Sequence, residues 1–136
     1  MKEYIRVMKA LADPSRIKIL KVLQHRKMCV CEIQNVLGIA QSTTSKHLKL
    51  LENAGLVVSV RDGLWIDYQL SDGAQSEYAA RQIELLSTWL EEDSAIRKLI
   101  EKLSTTCRDR NSKTAACCRE KRSAEKARQM AAECTA

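Results

Sequence analysis

Apolar residues recur at three- and four-residue steps through most of the first half of this chain, interrupted where residue chemistry stops one helix and starts the next. In YIRVMKALA, Ile5, Met8, Leu11 and Ala12 keep helical spacing; DPSR follows, where Asp13 suits an N-cap and Pro14 the first helical position. Ile17, Leu20 and Leu23, flanked by Ile19 and Val22, give the second helix the broad apolar face of a buried element. QHRK breaks that pattern. A short third helix, about Cys31 to Leu37, is marked by Ile33, Val36 and Leu37 and stops at Gly38. A fourth helix lies within IAQSTTSKHLKLLENAG, with Thr44, Leu48 and Leu51 inward and Gly55 at its end. Its opposite face carries Ser42, Lys46, Lys49 and Asn53, with Gln41 and Ser45 at the margins.

The period then changes. LVVSVRDGLWIDYQL is β-branched and aromatic on both sides of Asp62-Gly63, a dipeptide typical of a tight primed hairpin turn, so it predicts a two-stranded wing. Trp65 and Tyr68 fall on opposite faces of the second strand, and one of them should pack inward. From about Ser76 to Leu103 a helical period returns through Tyr78, Leu85, Leu86, Trp89, Ile96, Leu99, Ile100 and Leu103, predicting one long helix. It has more apolar surface than a short neighbour can cover, which points to a second copy of the chain. The expected fold is mainly α with a small β-hairpin: a dimeric winged helix-turn-helix with a long C-terminal dimerisation helix. Residues 1–103 form that domain; residues 104–136 read as a basic, cysteine-containing tail without a strong apolar period.

Composition supports this without deciding it. At 136 residues the chain holds one core, and with no Phe, two Trp and three Tyr that core rests on Leu, Ile, Val and Met. The net charge of +6 is uneven: residues 1–61 carry eleven Lys/Arg against four Asp/Glu, whereas residues 62–103 carry four against nine. A basic first half suits a polyanion such as DNA. No apolar run is long enough to span a bilayer and the charged N-terminus has no signal-peptide core, so no membrane partner is expected and a cytoplasmic location is. In that reducing compartment six cysteines are metal ligands or redox centres before they are a disulfide framework.

Two of the six stand in MCVCEI, Met28 to Ile33, where a serine or aspartate would ordinarily start the third helix. Residues i and i+2 point about 200° apart on a helix and to opposite sides of a strand, so regular structure cannot bring Cys29 and Cys31 together. If both hold one ion, the backbone there is irregular or becomes so. Cys29 takes the place of a missing cap, and the helix N-terminus should lower the pKa of at least one thiol below the free value of about 8.5. Soft thiolates select thiophilic ions over calcium or magnesium.

LADPSRIKIL, LGIAQSTTSKHLKLLENAGLV and RDGLWIDYQL together resemble the ArsR/SmtB family of dimeric metal-sensing repressors over roughly residues 4–103, and CVCEI resembles that family's Cys-Val-Cys inducer motif. The resemblance implies a homodimeric repressor that leaves double-stranded operator DNA when trivalent arsenic or antimony binds Cys29 and Cys31, with no organic cofactor. It also implies operator contacts from Gln41, Ser42, Thr43, Ser45, Lys46 and His47. Gln pairs with adenine and Ser or Thr with base edge or phosphate, while Lys46, Lys49 and wing residue Arg61 suit phosphate. His47 adjoins the apolar side near Leu51, where a half-buried, hydrogen-bonded role competes with a DNA contact.

Two departures stand out. The third cysteine of arsenite sensors is replaced here by Gln34, and cadmium/lead sensors draw cysteines from an N-terminal extension, whereas no cysteine precedes Cys29. A third thiol would come from Cys107, Cys117 or Cys118, unless those form a separate tail site; Cys134 reads as incidental. The alternatives are a cadmium/lead-responsive repressor or a thiol-redox switch in which Cys31 oxidises. An enzyme is not expected: there is no Cys-x-x-Cys, no Gly-rich cofactor loop and no His or carboxylate cluster near the cysteines.

Overall fold

The structure, a computed structural model, describes residues 1–63 and 65–105. The chain runs α1 (Lys2–Leu11), α2 (Pro14–Leu23), β1 (Met28–Cys29), α3 (Val30–Leu37), α4 (Gln41–Asn53), β2 (Val57–Asp62), β3 (Trp65–Leu70), α5 (Glu77–Thr88) and α6 (Ser94–Thr105). The three strands form one antiparallel sheet in the order β1-β3-β2. Expectations placed on Cys107, Cys117, Cys118 and Cys134 lie outside the described residues.

Local chemistry sets the helix starts. Asp13 adopts an extended conformation and its carboxylate accepts the Arg16 N–H at 3.1 Å, while Pro14 supplies the first helical φ of α2. Gly38 ends α3 at φ +69°, a left-handed conformation that a Cβ would strain, and so turns the chain into α4. The inward residues named from the pattern are inward: Ile19, Leu20, Ile33, Val36, Leu48 and Leu51 are buried in one core, and Thr44 is buried among them with its hydroxyl donating to the Ala40 carbonyl at 3.0 Å. Each fully buried Leu or Ile contributes about 1.5–3 kcal/mol, enough to fix the packing of α3 on α4.

Three expectations need correction. The wing has a third strand: Met28 and Cys29 pair with Tyr68 and Asp67 of β3. Two residues are too short to show a period. The hairpin turn also lies one residue later than the Asp62-Gly63 pair suggests. Asp62 pairs with Trp65, so Gly63, at φ +60°, takes the first central position where primed turns need positive φ.

The third correction concerns the long helix, which is two helices separated by Trp89 to Asp93. Trp89 is extended at ψ 155° and Leu90 takes φ +64°, which ends α5. The buried Lys21, 1% exposed, reaches from α2 and donates its ammonium to the Leu86 carbonyl at 2.9 Å, the Trp89 carbonyl at 3.0 Å and Glu91 Oε1 at 2.7 Å. It thereby supplies donors to carbonyls that a finished helix leaves open, at the negative end of its dipole. On the other side Asp93 accepts the Ala95 and Ile96 N–H groups and opens α6. The break lets Ile96 and Leu103 be buried and Leu99 pack on the protein's own core, surface that the pattern assigns to a second copy.

Candidate nucleic-acid interface and thiol pair

The outer face of α4 is built on the buried Thr44, Leu48 and Leu51, which hold the helix down and leave its polar side outward. Ser42, Thr43, Ser45, Lys46 and Lys49 are exposed, Gln41 and His47 are half-buried, and wing residue Arg61 is exposed. The N-cap, Ala40, has no side-chain acceptor for the first N–H groups, so α4 starts with donors and two lysines on a face without acidic residues in its first two turns. Such a face suits anionic acceptors. Ser59 of β2 donates its hydroxyl to Glu52 of α4 at 2.9 Å, fixing the wing to the same helix. Trp65 is buried and Tyr68 packs against the core, so neither is an open stacking platform.

Sequence reasoning missed Arg16, a long-range polar tether invisible to a local pattern. Its guanidinium donates to the Ala10 carbonyl at 2.6 Å and the Lys9 carbonyl at 3.1 Å, closing the end of α1, and approaches His47 Nδ1 of α4 at 3.4 Å. His47 is therefore half-buried and hydrogen-bonded.

The cysteine pair straddles a junction. Cys29 is the last residue of β1 and the N-cap of α3, with extended backbone at φ −79° and ψ 167°, whereas Cys31 already lies in the first turn of α3. Both are buried, at 6% and 9% exposure. The third-ligand place holds Gln34, half-buried, whose Oε1 is shielded from solvent without a hydrogen-bond partner among the described residues. Among the described residues no group of three or more His, Cys, Asp or Glu is gathered as a metal site.

Glu32 organises the junction. Its carboxylate accepts the Cys29 N–H at 3.0 Å and pairs with Arg26 at 3.4 Å, while its own N–H faces the Cys29 sulfur in a capping-box arrangement. The thiol does not become more acidic, contrary to expectation for Cys29. Burial pushes its pKa above the ordinary thiol value, the Glu32 and Asp67 carboxylates add to the rise, and the Glu32 and Cys31 N–H groups offset only part of it. Cys31 is disulfide-bonded.

Comparison with known proteins converges on these elements. The family model described as bacterial regulatory protein, arsR family, matches residues 13–59, from the Asp13 cap through α4 into β2. The arsenical resistance operon repressor of Escherichia coli K12 is 31% identical over 101 residues, spanning 74% of this chain and 84% of that one. The chain belongs to the ArsR family. A cadmium resistance transcriptional regulatory protein, the CadC homolog of Staphylococcus aureus, is 38% identical over 68 residues, 49% of this chain and 56% of that one. Among solved structures, the homodimeric winged helix-turn-helix DNA-binding domain Mb0332 from Mycobacterium bovis aligns with a TM-score of 0.55 at 31% identity, covering 63% of this chain and 76% of that one. This ArsR-family chain is thus a DNA-binding transcriptional regulator and not an enzyme. Among the described residues no helix is long and apolar enough to cross a membrane.

Proposed function

We propose that the chain is a homodimeric repressor whose α4 and wing hold operator DNA until a trivalent arsenic or antimony ion binds the sulfur of Cys29 and, once a thiol reductant has opened its disulfide, that of Cys31. One observation carries this reading: Cys29 is the cap of α3, the helix that leads through Gly38 into α4. An ion that takes the Cys29 sulfur removes the group facing the Glu32 N–H, and one that also takes Cys31 requires the first turn of α3 to change shape. The DNA contacts are Gln41, Ser42, Thr43, Ser45, Lys46, His47 and Lys49 on α4 and Arg61 on the wing. The arsenical and cadmium resistance names of the relatives support a thiophilic inducer, and two sulfurs with a third thiol from elsewhere fit trivalent arsenic. Exposed Tyr4, Ile5, Tyr78 and Leu85 on α1 and α5 offer an apolar face to a second copy.

Because burial raises the Cys29 pKa, the ion displaces a proton on binding. Inducer affinity therefore increases as pH rises towards the thiol pKa. A redox reading has its own support in the disulfide at Cys31, since oxidation there removes a ligand and acts on the same turn. One gel-shift experiment separates the two. A duplex selected from random DNA by the wild-type chain is titrated with arsenite, antimonite, cadmium and peroxide, against wild type, Cys29→Ser and Cys31→Ser. Release by arsenite in excess reductant, lost in both variants, is the expected result; release by peroxide alone favours the redox reading, and unchanged arsenite release from both variants removes the site.

A further inference from the structure

Arg16 touches three helices. Two of its nitrogens are committed to the last carbonyls of α1, Asp13 stands at 3.9 Å, and Nη1 lies 3.4 Å from His47 Nδ1. Its side chain is 14% exposed, so the arrangement is largely shielded from water. A guanidinium has donors only and keeps its charge in proteins. The His47 nitrogen that faces it must therefore be the acceptor, with its lone pair bare. In a neutral imidazole the single proton then resides on Nε2, across the ring. His47 lies one helical turn after the exposed Thr43 and next to the exposed Lys46.

We infer that Arg16 is a positioning residue that locks His47 as the Nε2–H tautomer, making His47 a directed, uncharged hydrogen-bond donor to an acceptor atom of the operator, a phosphate oxygen or a purine N7. The inference rests on the proposed reading of α4 as the DNA face and adds a role for a histidine whose sequence context left it undecided. Its signature differs from that of a lysine. A neutral donor releases no counterion, so its removal weakens binding without changing the salt dependence, whereas removing one lysine–phosphate contact lowers the salt slope by about 1.

The test has a spectroscopic arm and a binding arm on the full chain. Long-range 1H–15N spectra of the DNA-free protein should show His47 Nδ1 unprotonated and Nε2 protonated, and Arg16→Met should redistribute the proton between the nitrogens. In titrations of a duplex selected by the wild-type chain, at several salt concentrations, His47→Gln should stay within about threefold of wild type, because its amide donor reaches where Nε2 lies. His47→Asn should lose about tenfold at unchanged slope. Arg16→Met should lose a similar amount, largely recovered when His47→Gln is added; should Arg16→Met not fold, Arg16→Gln takes its place. An Nδ1–H tautomer in the free protein overturns the inference. So does wild-type affinity in His47→Asn while Lys46→Ala still binds weakly. If neither Lys46→Ala nor His47→Asn changes affinity, the DNA-face reading itself fails, and the inference with it. Duplexes with 7-deazapurines or methylphosphonates locate the acceptor, and insensitivity to both also counts against the inference.

Discussion

Helices α2 and α3 pack into the same core, yet their caps are opposites. The start of α2 combines a carboxylate cap, a proline at the first helical position and Arg16. Although burial pushes the Asp13 carboxyl up, the Arg16 N–H and guanidinium overcome this and hold it below the usual carboxylate range. The start of α3 is a buried thiol, a weaker acceptor, whose ionised form the surroundings disfavour. The difference teaches that a helix start can be made permanent or replaceable. At α2 the carboxylate cap serves the fold, whereas at α3 the capping atom is also a soft sulfur.

The severest way to break this contrast lies at the far end of α2. Lys21→Met should cost about 2–3 kcal/mol in urea unfolding, because it leaves the Leu86 and Trp89 carbonyls without their buried donor; a loss under 1 kcal/mol would show that the α5-α6 break holds without it. Asp13→Ala comes next, at about 1–2 kcal/mol, the usual worth of a carboxylate cap with an attached tether. Cys29→Ser should change stability by no more than about 0.5 kcal/mol, since a hydroxyl caps at least as well as a thiol. A loss as large as that of Asp13→Ala would mean that sulfur packing, not capping, holds α3.

The smallest effect is the most diagnostic, because the two caps should fail in opposite directions of pH. Asp13 has a lowered pKa, so its contribution is present above the unfolded value of about 3.9 and is lost as pH falls through the folded one. Cys29 has a raised pKa, so its contribution is full below the ordinary thiol value of about 8.5 and is lost as pH rises through the folded one. Urea midpoints between pH 3 and pH 10.5 for wild type, Asp13→Ala and Cys29→Ser should show the acid loss diminished only in the first variant and the alkaline loss only in the second. Equal alkaline loss in wild type and Cys29→Ser would refute the burial of that thiol.

What was legible in the chain is whatever local chemistry encodes. Asp13-Pro14, Gly38 and the Thr44, Leu48, Leu51 stripe mark helix starts, stops and inward faces within a few residues, and the family resemblance rests on the same segments. What escaped depends on distant partners. The continuous period from Tyr78 to Leu103 conceals the break because nothing near Leu90 announces positive φ; Lys21, far away in sequence, supplies the donors. Arg16 escaped for the same reason. The sign of the Cys29 shift was misread because helix-end electrostatics can be anticipated from position, whereas burial and the Asp67 carboxylate opposite come only with the sheet. Assignment of Gln41, Ser42, Thr43, Ser45, Lys46, His47, Lys49 and Arg61 to operator contacts, and of the sulfurs to an ion, rests on chemistry and family.

The two-residue strand β1 gives Cys29 a double allegiance. Its backbone is stitched to Asp67 in the middle of the wing, and its side chain begins α3. Any tug on that one sulfur is shared, like a load on a common hinge pin, between the hairpin and the segment that leads into α4. On the proposed reading, grip on the groove and grip along its edge loosen in the same event.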